Sequence, residues 1–240
     1  MPGNDKDRPR SMREAMQGAV AATRESQRST RRNVLMILAI VGIVVLARQM
    51  GFLGDAGQAV PRATIDVAAL DAGLAALPFV PMLDNNGQGT RVVEFFDYRC
   101  GHCRSMAPVL HDALEEGAGF TLVPLELPIL GPESVLAAQF ALAAALQDAY
   151  GPYHRALMFS TVPYTTEGLT DLGAALGLDP VRLAADAQGP RVAAILDANR
   201  TLAAGIGVDG TPSFVIGDLL IVGAIDKASL LGLIAATDQP

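Results

Sequence analysis

The sequence predicts an α/β protein in which helices interrupt a small sheet, preceded by a single amino-terminal transmembrane helix. Two observations predict this class. Segments rich in β-branched and aromatic residues alternate with segments of helical spacing after residue 64, and an uncharged apolar run begins at Val34. The chain has 240 residues, of which 50% are hydrophobic and 18% charged, and this composition excludes general intrinsic disorder. A chain of this length can bury a large core without disulfide bonds.

The apolar run predicts a membrane anchor. Val34–Ala47 contains fourteen apolar residues, and residues 34–54 extend the run to 21. At about 1.5 Å per residue, that length crosses a hydrocarbon core of about 30 Å. A buried soluble helix is the alternative, but soluble helices seldom lack a polar face. We therefore predict an uncleaved signal-anchor over residues 33–54.

Charge is divided unevenly on the two sides of this anchor. Residues 1–32 carry eight Lys/Arg and four Asp/Glu, and residues 33–240 carry ten and twenty-one, so the net charges are +4 and −11. The positive-inside rule then leaves residues 1–32 in the cytoplasm, as a basic and disordered tail, and delivers the rest outside. Because the acidic part has no basic stripe to neutralise phosphates, we expect no nucleic-acid partner.

A linker over 55–64 and one globular unit over 65–240 are predicted to follow. Hydrophobic periodicity and turn residues place the elements of this unit. The predicted elements are a helix over Asp66–Leu77 capped by Asp66, a turn at Asn85-Asn86-Gly87, a strand over Arg91–Tyr98, a helix over Cys103–Glu116, a strand over Phe120–Leu127, helices over Ser134–Ala204 broken at Gly151-Pro152, Pro163, Pro180 and Gly189-Pro190, a hairpin of Ser213–Ile216 and Leu220–Gly223, and a helix over Ala228–Ala236 capped by Asp226.

Four consecutive residues, Cys100-Gly101-His102-Cys103, carry the candidate chemistry, because they follow a predicted strand and open a predicted helix. Cysteines three apart on a first helical turn come within reach of a disulfide, which needs Cα atoms about 4.4–6.8 Å apart. At a helix N-terminus, free amide groups and the helix dipole favour an anion, so the pKa of Cys100 should fall from about 8.5 towards about 3.5–7.5. His102 can stabilise the thiolate further. We expect Cys100 to attack and Cys103 to be the buried resolving cysteine.

The cysteines also allow other interpretations. A structural zinc site needs four ligands, and besides two cysteines the chain offers only His102, His111 and His154, at no ligand-like spacing. We therefore expect no metal and no cofactor. Two thiolates can hold a soft ion such as Cu(I), so a non-enzymatic Cu(I)-binding or holdase module is an alternative. His111 and His154 are expected on a helix surface or, with satisfied hydrogen bonds, in the core.

Four segments resemble, in the same order, landmarks of the DsbA-type thioredoxin-fold thiol oxidoreductases, above all the membrane-anchored or exported bacterial branch that is ScsC-like. The segments are Val92–Cys103, Leu127–Ser134, Tyr153–Met158 and Gly207–Phe214. The resemblance implies a thioredoxin fold with a helical domain inserted at about 132–204. It also implies a single pass through the bacterial inner membrane, with the catalytic domain in the periplasm.

The same resemblance implies a substrate-binding loop. Thr211-Pro212 matches the cis-proline loop that packs beside the two cysteines in the family. Thr211, Pro212 and Gly101 would then bind substrate. The backbone of Thr211 would pair with an extended client segment, a mode of recognition that tolerates varied sequences.

Glu94 matches a buried acid that the family holds near the resolving thiol, six residues before the first cysteine. Buried there, its pKa would rise and it could shuttle the proton of Cys103. A solvent-facing Glu94 is the alternative, and the alternation of the strand does not decide between them. The lysine that usually partners this acid is not evident, because Lys227 is the only lysine after residue 6.

These features predict a thiol:disulfide oxidoreductase that forms or isomerises disulfides in cysteine-containing exported proteins. Cys100, Cys103, His102 and Glu94 are its candidate catalytic residues. A low-pKa thiolate leaves easily, which favours an oxidant or isomerase, but a thiol reductant remains an alternative. Such a protein needs a membrane redox partner that recycles its cysteines.

Overall fold

The structure, a computed structural model, describes residues 61–84 and 89–237. The predicted cytoplasmic tail, the anchor over 33–54, most of the linker and the turn Asn85-Asn86-Gly87 lie outside the described residues. Within the described ranges, every helix is too short or too polar to cross a membrane.

The described residues form a mixed sheet of six strands in the order β1-β6-β5-β3-β4-β2. The central strands β3 and β4 are parallel, and the other neighbours are antiparallel. The strands are β1 (Pro61–Thr64), β2 (Leu83–Asp84), β3 (Thr90–Phe96), β4 (Phe120–Glu126), β5 (Ser213–Ile216) and β6 (Leu219–Val222).

Eight helices surround the sheet in the described part of the chain, and five of them lie between β4 and β5. The predicted α/β class, with helices that interrupt a small sheet, is confirmed. The helices are α1 (Val67–Ala76), α2 (Gly101–Glu115), α3 (Pro132–Ala145), α4 (Tyr150–Phe159), α5 (Thr166–Ala175), α6 (Pro180–Ala187), α7 (Pro190–Gly205) and α8 (Lys227–Thr237).

Two predicted helix caps are confirmed. The Asp66 carboxylate accepts hydrogen bonds from the amides of Ala68 and Ala69 at 2.9 and 3.3 Å, and so starts α1. Asp226 accepts from the amide of Ser229 at 2.8 Å, and so starts α8. Each carboxylate satisfies amide groups that have no partner inside the first turn of a helix.

Two sequence expectations are wrong. Pro61–Thr64, placed in the linker by sequence, form the edge strand β1 and pair with β6, which offers them a free edge. The break expected at Gly151-Pro152 does not occur, because α4 begins at Tyr150 and runs through both residues. A proline is tolerated in the first turn, where its missing amide hydrogen would have no partner. The chain instead breaks after α3, near Asp148, whose φ is 57°.

Both faces of the sheet are covered. Val93 and Phe95 of β3 pack on one face with Leu202 of α7. Val92 packs on the opposite face with Met106 of α2. Since side chains alternate along a strand, residue 94 shares the α2 face with Val92. The helix that carries the cysteines therefore covers the middle of β3.

Candidate active site

The two cysteines occupy unequal positions at the start of α2. Cys100 is the N-cap residue, and its Sγ accepts a hydrogen bond from the Cys103 amide at 3.4 Å. Both are free thiols, Cys100 is 7% exposed and Cys103 is fully buried. Burial raises the pKa of the Cys103 thiol above its usual range, the charge of Glu94 adds to this effect, and a hydrogen bond from the Asp97 backbone opposes it. The expected burial of Cys103 is confirmed.

The loop before β5 lies against the first cysteine. The peptide bond between Thr211 and Pro212 is cis, as the resemblance implied. The Cys100 thiol donates a hydrogen bond to the Thr211 carbonyl at 3.4 Å. Pro212 is buried, and its carbonyl accepts from the Gly223 amide at 2.8 Å. The structure thus brings Cys100, Thr211 and Pro212 together.

Glu94 is buried in the middle of β3, with 2% of its surface exposed, so the solvent-facing alternative is wrong. Its register neighbours are Pro124 of β4 and Phe214 of β5. Burial raises the pKa of Glu94 to about 8, because it removes water from the charged form. The single lysine of the described residues, Lys227, forms an ion pair elsewhere, with Glu116 at 2.6 Å.

The exposed part of the motif lies at the rim of the site. Gly101 and His102 are both exposed. A Cβ atom added at Gly101 would meet no atom within 4 Å, so this position is open to a partner. His102 is therefore in reach of a client or of solvent.

Asp97 was not identified from the sequence, although it joins two loops beside the cysteines. Its buried carboxylate accepts from the amide of Arg99 at 2.8 Å, and from those of Ile129 and Leu130 at 2.9 and 3.0 Å. Its carbonyl accepts from the Cys100 amide at 3.0 Å. An Asp that follows a strand and bonds the amide two residues on is a turn signal that could have revealed the local bond.

Arg104 is a second residue that the sequence did not identify. Its guanidinium, next to Cys103 in sequence, donates to the carbonyls of Leu157 and Ser160 at the end of α4, the first at 2.8 Å. It also donates to the Tyr164 hydroxyl at 3.0 Å, and that hydroxyl donates to the Tyr98 carbonyl at 3.1 Å. The helix that carries the cysteines is thereby fastened to the helices that follow β4.

The hydrogen bonds and ring contacts of the other two histidines are with groups other than the cysteines. His154 is a core histidine, as expected: it is 2% exposed, and its Nδ1 is 2.9 Å from the Tyr98 hydroxyl. Burial lowers the pKa of His154 to about 3. His111 is half-buried, and its Nδ1 lies 3.3 Å from Arg155, whereas its Nε2 has no hydrogen-bond partner. In the described ranges, no group of three or more His, Cys, Asp or Glu side chains is arranged to hold a metal.

Comparison with known proteins identifies the fold. A model of the DSBA-like thioredoxin domain matches residues 91–235. A thioredoxin-like oxidoreductase from Silicibacter pomeroyi DSS-3 is 35% identical, and the match covers 68% of this chain and 95% of that one with a TM-score of 0.64. A search of curated proteins gave no match.

Two further solved structures are similar. The thiol-disulfide exchange protein alpha-DsbA2 from Wolbachia pipientis is 26% identical, with 71% of this chain and 92% of that one covered and a TM-score of 0.64. The catalytic domain of Proteus mirabilis ScsC is 23% identical, with 71% and 96% covered and a TM-score of 0.63, a likeness of fold alone. The expected thioredoxin-like α/β fold is confirmed.

Proposed function

Because this chain belongs to the family of DSBA-like thioredoxin domains, as its motifs predicted, we propose that it exchanges disulfides with exported proteins through Cys100 and Cys103. The observation that carries this proposal is the unequal pair of thiols at the start of α2. Cys100 caps the helix next to the Thr211 carbonyl, and Cys103 lies fully buried behind it. The first sulfur is thus placed to meet a client and the second to close the disulfide.

The reaction we propose is an exchange of two electrons and two protons. A client thiolate attacks Cys100 Sγ of the oxidised pair, the Cys100–Cys103 bond breaks, and its electron pair leaves on Cys103. A second client thiolate then attacks the mixed disulfide, releases the oxidised client and leaves Cys100 reduced. Isomerisation starts from the reduced pair, when Cys100 attacks a client disulfide and either the client or Cys103 resolves the mixed disulfide.

Glu94 is the proposed proton carrier for Cys103. The Cys103 sulfur gains a proton when the pair is reduced and must lose it when the pair is oxidised again. Burial raises the pKa of Glu94 to about 8, close to neutral pH, so the carboxyl can both give and take a proton there. The charge of Glu94 also raises the pKa of Cys103, which supports a position close to that thiol. The two register neighbours of Glu94 are Pro124 and Phe214, and Lys227, the single lysine of the described residues, pairs with Glu116. The proposed relay therefore works without a lysine.

Client recognition is assigned to the loop around Thr211 and to the open rim at Gly101 and His102. We propose that a client segment pairs with the backbone of Thr211, whose carbonyl already contacts the Cys100 thiol. His102, which is exposed, can donate to the Cys100 thiolate when it leaves the mixed disulfide. The helix-cap position of Cys100, whose Sγ accepts from the Cys103 amide, supports an oxidant or isomerase rather than a reductant, since stabilising the Cys100 thiolate makes the matching disulfide more oxidising.

The redox equilibrium with glutathione tests whether the protein is an oxidant or isomerase rather than a reductant. We expect the full-length protein to have a reduction potential more oxidising than about −270 mV, the value of thioredoxin. A potential at or below that value would instead assign the protein as a reductant.

The site of action is also part of the proposal. We propose that residues 34–54 hold the protein in the bacterial inner membrane and that the catalytic domain faces the periplasm, where a membrane redox partner recycles the cysteines. The run of apolar residues and the arginines that precede it support this topology. A reporter enzyme that is active only in the periplasm, fused after residue 240, should be active, and the same reporter fused after residue 32 should be inactive. The reverse pattern would contradict the topology.

Trapping of mixed disulfides tests the mechanism. In the full-length protein, Cys103→Ala should accumulate mixed disulfides with clients on non-reducing gels, because the resolving thiol is missing. The double variant Cys100→Ala/Cys103→Ala is the control and should trap none. If the single variant traps none while Cys100 remains a free thiol, and the wild type does not turn over insulin disulfides, the proposal is wrong and a thiol-dependent binding module takes its place.

A further inference from the structure

A second buried carboxyl group, which the proposed reaction does not use, lies at the end of β4. Glu126 is 1% exposed, and its Oε1 accepts a hydrogen bond from the Tyr150 hydroxyl of α4 at 2.7 Å. The Asn199 amide nitrogen of α7 donates to the Glu126 backbone carbonyl at 3.2 Å. One residue thus meets two helices of the segment between β4 and β5.

Two buried oxygen atoms at this point lack a partner. They are Oε2 of Glu126 and Oδ1 of Asn199. The Asn199 amide nitrogen already donates to the Glu126 backbone carbonyl, so the unpartnered amide oxygen belongs to a side chain that contacts this same residue. An ionised carboxylate and an amide oxygen are both acceptors, so they cannot satisfy each other. A buried acceptor without a partner is costly, and a buried charge without a partner costs more.

The groups around Glu126 offer it no positive charge. From α4 it faces Tyr150, whose ring stacks at 5.5 Å on the ring of His154. His154 is neutral, because burial lowers its pKa to about 3. Tyr98, from the segment after β3, interacts with Glu126, and Asn199 of α7 donates to its backbone carbonyl; neither side chain is charged. No ion pair of the described residues involves Glu126. Burial accordingly raises the pKa of Glu126 to about 8.

We propose that Glu126 is a positioning residue that fastens α4 and α7 to the end of β4 as a neutral carboxylic acid, with the proton on Oε2 donated to the amide oxygen of Asn199. This single proton turns one acceptor into a donor and satisfies both oxygen atoms. Leu127 follows directly, and its amide donates to the Phe96 carbonyl at 2.8 Å. The next residues form the loop whose amides, at Ile129 and Leu130, donate to the Asp97 carboxylate beside the cysteines. The contacts of Glu126 therefore hold the start of this loop.

The variant Glu126→Gln separates this proposal from a charged Glu126. A glutamine is a permanent copy of the neutral acid, because its oxygen can accept from Tyr150 and its amide can donate to Asn199. If folded Glu126 keeps its proton, the unfolding equilibrium constant of the wild type rises with pH between about 5 and 8 more steeply than that of Glu126→Gln. The difference is up to tenfold per pH unit, the value for one proton.

Denaturant unfolding of the full-length protein in detergent measures these slopes. Glu167→Gln, which changes an exposed carboxylate on α5, is the control and should keep the wild-type slope. Equal slopes for the wild type and Glu126→Gln would overturn the proposal, since they would show that folded Glu126 is ionised.

Infrared spectroscopy gives a second measurement that does not depend on unfolding. At pH 6, the difference between wild type and Glu126→Gln should contain the C=O band of a protonated carboxylic acid, and absence of that band would overturn the proposal. Asn199→Leu should move the band to a higher wavenumber, because the acid loses its acceptor. A band that stays in place would show that Asn199 does not receive the proton. Neither readout requires disulfide exchange, so the proposed function can fail while this inference stands.

Discussion

Asp97 shows how a single buried carboxylate can organise the surroundings of the cysteine pair. Three amide groups from two different loops converge on it, at 2.8, 2.9 and 3.0 Å. Amide groups are donors, so only an oxygen can occupy each of these positions. The negative charge strengthens each bond. The loop that follows β4 is therefore fastened to the turn that leads into α2.

Asp97→Asn is expected to destabilise the protein by about 1.5–3 kcal/mol, the range for hydrogen bonds to charged groups. An asparagine has one oxygen and one NH₂ group. Either the Arg99 amide or the amides of Ile129 and Leu130 would therefore face an NH₂ group, which is another donor. Urea unfolding of the reduced full-length protein measures the loss. The control is Asp112→Asn, on the exposed side of α2, which should change stability by less than about 0.5 kcal/mol. Equal effects of both variants would contradict this role.

The sequence predicted the residues of the candidate site better than their surroundings. The spacing of Cys100 and Cys103 and the position of both at a strand–helix junction could be read from local sequence, because a helix start has local signals. The burial of Glu94 could not, since either face of β3 could have been the inner one and both proved to be covered. The long-range bonds of Asp97 to Ile129 and Leu130 depend on how two loops meet, and local sequence does not contain that information.

At the scale of elements, Arg104 connects α2 to the end of α4. Its guanidinium donates to the carbonyls of Leu157 and Ser160. These carbonyls lie at the end of α4, where a helix supplies no amide group to bond them. A cation at a helix C-terminus also interacts favourably with the helix dipole. The helix that carries the cysteines is therefore held to the end of α4 as well as to the sheet.

Arg104→Met tests this connection. Methionine keeps much of the apolar stem but leaves these carbonyls and the Tyr164 hydroxyl without their donor, so we expect a loss of about 1–3 kcal/mol. Thermal unfolding followed by circular dichroism measures it. Arg200→Met is the matched control, because Arg200 is exposed on α7 and, among the described residues, forms its ion pair with the exposed Asp197. Such a surface pair contributes about 0–1 kcal/mol. The assignment fails if both variants lower stability by the same amount.

The elements that the sequence missed are those that depend on distant partners. β1 and β2 are short edge strands, and each exists because a neighbouring strand, β6 or β4, offers free backbone groups. Proline in the first turn of α4 was interpreted as a break, although the first turn is where a helix tolerates it. By contrast, β3, β4 and the hairpin of β5 and β6 were predicted to within one or two residues, since their β-branched and aromatic patterns are continuous.

At the scale of the whole molecule, three buried titratable groups favour their neutral forms. Burial raises the pKa values of Glu94 and Glu126 to about 8 and lowers that of His154 to about 3. Between pH 4.5 and 8, the folded protein therefore holds protons on both carboxyls that the unfolded chain has lost. Between pH 6.5 and 3, His154 is protonated in the unfolded chain but not in the folded protein. The carboxyls lower stability as pH rises, and the histidine lowers it as pH falls.

These opposite signs predict a stability maximum on the acidic side of neutrality. Above pH 6.5, of these three groups, the two carboxyls contribute, and the free energy of unfolding should fall by about 1.4 kcal/mol per pH unit for each of them. Below pH 4.5, of these three groups, His154 contributes, and the lowered pKa values of His111 and Asp226 act in the same direction, so stability should fall again. Glu94→Gln removes one of the two protons, and we expect it to halve the slope between pH 6.5 and 7.5. Urea unfolding of the reduced full-length protein at several pH values measures both slopes. An unchanged slope in Glu94→Gln would mean that Glu94 is already ionised in the folded protein, and it could not then hold the proton that Cys103 releases.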